Sequence, residues 1–238
     1  MRNNSDSFTL VSATMKMADV LSHHNNILNL LPRLGIPLGF GESTVKQVCA
    51  DNKVSLPLFL LICNVYIQDE YLPDIEELRQ CPMEEIVNYL KASHEDYLEY
   101  SFPHIEDHLA DVVRDWSEKY RISITSFFSE YKKEVVSHFQ FEEDEVFPYV
   151  RSLIQHNLTK KGFNKLGLFE KQHGNIEDKL RDFTSLLIKY IPADVSQRER
   201  IDMLIDIYSL SEDIEKHATI EEKILIPYIK ALMNDENL

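Results

Sequence analysis

From about residue 83 onward, apolar side chains recur every three or four positions with charged residues between them, the period of a helix that buries one face. Four such stretches follow one another, at about 83–118, 121–155, 163–190 and 196–233. The first opens Pro82-Met83-Glu84-Glu85, a favourable start because proline is tolerated in a first turn and acids complement its exposed N–H groups. Ile86, Leu90, Tyr97 and Leu98 fall near one face of it, and Pro103 predicts a kink. The connections are short, so neighbouring helices run antiparallel. The pattern predicts an up-down-up-down four-helix bundle over residues 83–234.

Residues 1–75 read differently. Val20, Leu21, Ile27, Leu28, Leu30 and Leu31 predict one helix, ended by Pro32, Gly35 and Pro37. Ser43 is the expected cap of a second short helix through Val45 and Val48, and Ser55 of a third with Pro57 in its first turn. This segment is expected to form a small helical N-terminal domain, divided from the bundle near Pro73–Pro82. The expected fold class is all-α throughout.

Composition narrows the function. With 25 Lys and Arg against 40 Asp and Glu the formal charge is −15, which excludes a protein that grips a phosphate backbone through displaced counterions. The most apolar run, Leu56–Val65, contains Pro57 and Asn64 and falls far short of the roughly 20 residues that cross a bilayer. The first residues are polar, without the apolar core of a secretory signal. Cys49, Cys63 and Cys81 lack Cys-x-x-Cys spacing, so neither a disulfide framework nor a structural zinc site is expected. A reducing, cytoplasmic setting follows as the expectation, with no nucleic-acid or membrane partner.

Seven of the nine histidines lie beyond residue 75, and two of them sit in a repeat. His138-Phe139-Gln140-Phe141-Glu142-Glu143 continues to Phe147-Pro148-Tyr149, and His217-Ala218-Thr219-Ile220-Glu221-Glu222 continues to Ile226-Pro227-Tyr228. Residues four apart on a helix are neighbours, so His138 with Glu142, and His217 with Glu221, each present an imidazole and a carboxylate to one side. The alternate helices add His94 and His173. Four histidines and two glutamates are too many for tetrahedral zinc. They suit two carboxylate-bridged ions, with nitrogen and oxygen donors favouring iron, or else manganese. Both pairs depart from the Glu-x-x-His arrangement of ferritin-like bundles. His104 and His108 read as surface residues, and Gly174 beside His173 suggests close packing near the site. No catalytic residue is assigned. Tyr97, Tyr149 and Tyr228 read as core aromatics near helix ends.

These residues resemble the hemerythrin-like, or HHE, domain. More closely, the chain resembles the iron–sulfur cluster repair di-iron proteins, the repair of iron centres family. The matches are His94 in Ser-His-Glu-Asp-Tyr leading to Pro103, His138 with Glu142 before Phe147-Pro148, His173 in Gln-His-Gly, and His217 with Glu221 before Ile226-Pro227. The N-terminal segment is similar more loosely, through Met17–Leu21, Leu30–Ile36 and Thr44–Cys49. Where that family carries a Cys-Cys pair, this chain reads Pro37-Leu38-Gly39-Phe40-Gly41. The resemblance implies a non-haem di-iron protein that repairs iron–sulfur clusters damaged by nitrosative or oxidative stress, with damaged iron–sulfur proteins as partners. The alternative expectation is a module that binds or senses oxygen or nitric oxide and relays the state through its N-terminal domain.

Overall fold

The computed structural model describes residues 10–114, 116–154, 163–190 and 196–235; side chains are described within these except at 163–173 and 233–235. The described secondary structure is helical, with one isolated antiparallel bridge between Lys16 and Thr44. The helices are α1 (Met17–His23), α2 (Leu30–Arg33), α3 (Val45–Asp51), α4 (Leu56–Ile67), α5 (Ile75–Gln80), α6 (Met83–Asp96), α7 (Phe102–Val112), α8 (Glu118–Phe141), α9 (Phe147–Ile154), α10 (Phe163–Tyr190), α11 (Gln197–Ile220) and α12 (Ile226–Asp235). Three pairs are joined without a break by π-helical turns: α6 to α7 by Tyr97–Ser101, α8 to α9 by Glu142–Val146, and α11 to α12 by Glu221–Leu225. The four long stretches expected from the periodicity are these three composite helices and α10.

The π turns have a visible cause. In each, the residue before a proline donates its N–H five residues back: Phe102 to the Tyr97 carbonyl, Phe147 to Glu142 and Ile226 to Glu221. The proline that follows has no N–H and would crowd the carbonyl four residues earlier in an α-helix. One widened turn relieves that conflict without interrupting the helix, a device that recurs at functional sites. The kink expected at Pro103 is therefore a π turn, and the same turn recurs before Pro148 and Pro227.

By packing, the chain divides into two compact units, one of Met1–Ala92 with Thr219–Leu238 and the other of Ser93–Ala218. In the first unit α4 is buried on nearly every side, as its composition requires. Its one buried polar side chain, Asn64, accepts the Val11 N–H at 2.7 Å, so the amide is satisfied inside an apolar helix. The Tyr66 and Tyr89 hydroxyls meet at 3.3 Å, and Lys223 donates to the Asp69 carbonyl at 3.2 Å.

Three local expectations change. The helix expected through Leu31 is broken, with a 3₁₀ segment Asn25–Asn29 between α1 and α2. Gly35, at φ 65°, closes α2: the Ile36 N–H reaches the Leu31 carbonyl and the Gly35 N–H that of Pro32, a Schellman closure that a glycine accommodates without strain. The cap of α3 is Thr44, not Ser43, because Thr44 and Gln47 exchange side-chain and backbone bonds as a capping box while the Ser43 carbonyl accepts from Met17. Ser55 caps α4 as expected. Asp74 and Glu77 form another capping box that starts α5, a helix inside the stretch where the chain is expected to divide.

The second unit is cored by one row of side chains from each helix. Phe102, Ile105, Leu109 and Val112 on α7 meet Phe128, Tyr131, Val135 and Phe139 on α8. Ile176, Leu180, Phe183 and Leu187 on α10 join Met203, Ile207, Leu210 and Ile214 on α11. Spacings of three and four residues keep each row on one face, which fixes the rotation of every helix about its axis. That rotation decides which histidines and acids point inward.

Candidate metal centre

His94 is the fixed point of the site. Its ring is fully buried, stacked on Phe139 at 4.0 Å and nearly parallel to Phe147 at 5.7 Å. Its Nδ1 lies 3.1 Å from Glu143 Oε1. A carboxylate only accepts, so Nδ1 carries the proton and donates. In the neutral ring that leaves Nε2 a bare lone pair, aimed at Glu142 Oε2 at 3.0 Å and His217 Nε2 at 3.2 Å. Lone pairs facing a buried carboxylate repel unless a proton or a metal cation lies among them.

Glu142 joins two imidazoles. Its Oε1 lies 2.7 Å from His138 Nε2 while Oε2 faces His94, so one carboxylate spans imidazoles from two helices. The His138 pair is the i,i+4 arrangement expected from the repeat. Tyr97 sets the far side: its hydroxyl donates to the Asp213 carbonyl at 3.1 Å, one turn before His217, and its ring meets the His217 ring edge-on at 5.8 Å. Glu221 follows His217 by one turn along the same helix and is fully buried. Donor atoms of His94, Glu142, His217 and Glu221 all lie within 4.8 Å of one another, and all four residues are buried.

The donor set fits a metal. Two neutral imidazoles and two carboxylates bring a formal −2 into a buried space, where a cation offsets a desolvation cost of several kcal/mol per ion. Nitrogen and oxygen donors without sulfur suit iron. The support around the ligands is equally specific, because Glu143 fixes the His94 tautomer as outer carboxylates do for ligating histidines.

Residues 85–229 match the family model of the hemerythrin HHE cation-binding domain. The chain belongs to the hemerythrin HHE family. No curated protein matches it. The buried group of His94, Glu142, His217 and Glu221 lies within the matched residues. No described helix is long and apolar enough to cross a membrane.

Of the six candidate ligands, His94, His138, Glu142, His217 and Glu221 are placed as described. The side chain of His173, on α10, lies outside the described residues. Sequence reasoning assigned no site role to two residues that border the group, Glu143 and Tyr97. Glu143 stood at the less favoured +5 position, although the Glu-Glu doublet in both repeats was a signal. Tyr97 is the core aromatic expected, and its hydroxyl and ring also bear on the helix of His217. Gly174 is exposed and an added Cβ would meet nothing within 4 Å, so close packing does not explain it.

Between α8 and α10 a cavity of about 380 Å³ is lined by Glu134, Ser137, His138, Phe141, Asn175 and Ile176. It brings solvent-accessible space to the edge of the His138 ring, enough for a diatomic or other small molecule.

Proposed function

We propose that this chain is a non-haem di-iron protein that repairs iron–sulfur clusters damaged by nitrosative or oxidative stress in the cytoplasm. The carrying observation is the buried group of His94, Glu142, His217 and Glu221, extended by His138. Two carboxylates and several imidazoles are the donor set for two irons, with His173 as the remaining candidate ligand and manganese as the alternative metal. Bound there, iron would supply one-electron redox change and a place for a diatomic ligand. The protein's own part is to hold the His94 tautomer through Glu143, to seal the ligands behind Phe139 and Phe147, and to admit small molecules along the His138 cavity. The client would be an iron–sulfur protein, met without nucleic acid or membrane.

The test has two steps. Metal analysis and Mössbauer spectroscopy of the protein as isolated should give about two irons per chain in a coupled pair. The loaded protein should then restore an iron–sulfur enzyme inactivated by nitric oxide. Restoration by free iron alone, with none from the loaded protein, would sink repair while leaving the di-iron site standing.

A second reading, reversible binding or sensing of oxygen or nitric oxide, is favoured by the thiols. The turn Pro37–Gly41 has no cysteine, and Cys49, Cys63 and Cys81 are all buried. Burial pushes the Cys49 thiol up to about 11 and Cys81 up to about 12, with Cys63 also raised well above the ordinary value. At neutral pH none presents a nucleophilic thiolate, so Ellman's reagent should leave all three unmodified until the protein unfolds. An oxygen-dependent optical band that appears and disappears reversibly would favour this reading over repair.

A further inference from the structure

The buried group is not the one place where metal-ligating side chains converge. His104 and His108 lie one turn apart on α7, and Asp206 of α11 faces both. The His108 Nδ1 to Asp206 Oδ2 distance is 2.5 Å, and that from His104 Nε2 to the same oxygen is 3.6 Å. The two rings are 4.4 Å apart, and Tyr100 stacks on His104. One donor atom from each of the three residues lies within 4.8 Å of the others.

We propose that His104, His108 and Asp206 form a second cation site on the outside of the bundle, taking a divalent first-row ion of the zinc class. Two imidazoles and one carboxylate, with a solvent-facing side, match a three-ligand site whose fourth position is water. The geometry needs little adjustment. Donors at about 2.0–2.1 Å on a tetrahedral ion sit roughly 3.3 Å from one another, so the His104 contact is already near that value. The His108 contact must open, and both histidines are part-exposed and can turn.

Charge favours the ion as well. A Lys or Arg at i±3 or i±4 is the local partner that stabilises a surface aspartate on a helix. Among the described residues Asp206 has ion pairs with the two imidazoles and none with Lys or Arg, and Arg198 is engaged by Asp202 at 3.1 Å. The carboxylate is therefore directed at the histidines, where a divalent cation would be held by all three side chains.

Full-length protein should be dialysed against zinc buffered by a chelator, with zinc and iron counted per chain. Wild type should hold about one zinc more than the His104→Ala/His108→Ala protein, and iron content should be the same in both. Asp206→Asn, which keeps the shape, should weaken that zinc more than about tenfold. His138→Ala should keep it while losing iron, which separates this site from the buried one. Equal zinc in wild type and the double variant would overturn the proposal and leave a plain surface His–Asp ion pair. Because all three side chains are at least part-exposed, circular dichroism melts of the variants should coincide with wild type in the absence of zinc.

Discussion

Two clusters of the same residue types stand on one stretch of chain, His94 before the first π turn and His104 with His108 after it. They differ in surroundings. His94 is stacked against phenylalanines, its Nδ1 is taken by Glu143, and Glu142 and Glu221 near its Nε2 are fully buried. His104 and His108 share one part-exposed aspartate and a single stacked tyrosine. Water at the outer cluster can solvate any protonation state, so a cation there is optional. In the buried cluster charge has no such outlet, and the imidazoles, carboxylates and the groups that hold them form a unit.

That contrast breaks most directly at Glu142. Replacing it with alanine removes the carboxylate shared by His94 and His138, and iron affinity should fall on the order of a thousandfold or more. Iron counted after dialysis against a chelator checks this. Retention of iron near wild-type levels would mean that the buried group is an ordinary polar core and no different in kind from the outer one.

Glu143 tests the support, not the ligand set. Glu143→Gln keeps an acceptor oxygen for His94 Nδ1 but removes the charge, and iron affinity should fall about 10- to 100-fold. The exchange rate of iron with a chelator should rise while the circular dichroism melt stays put. A loss as large as that of Glu142→Ala would make Glu143 a ligand itself and redraw the site.

What was legible follows from how far each signal reaches along the chain. The rows Phe128, Tyr131, Val135, Phe139 and Met203, Ile207, Leu210, Ile214 obey the helical period, so the bundle was visible in the sequence, and the duplicated His-x-x-x-Glu-Glu put the buried group in view. The prolines were visible too, but not that a helix absorbs each by one five-residue turn, because a proline can be met either by a kink or by a widened turn and the local sequence does not choose between them. Asp206 stands 98 residues from His108 and nothing local connects them. The helix α5 was missed because six residues show too little periodicity to outweigh the prolines on either side.

The smallest expected effect separates stability from metal. Gly174 sits within α10 beside His173, is exposed, and has open space where a Cβ would go. Glycine in a helix interior is about 0.8–1 kcal/mol worse than alanine, through the greater freedom that the unfolded chain loses. Gly174→Ala should therefore raise unfolding free energy by about that amount in urea melts. It adds one methyl group to an exposed face, so iron content should not change. Loss of iron with the stability gain intact would mean that α10 must bend or shift at this point to present His173, and that the buried group depends on a flexibility the outer cluster does not need.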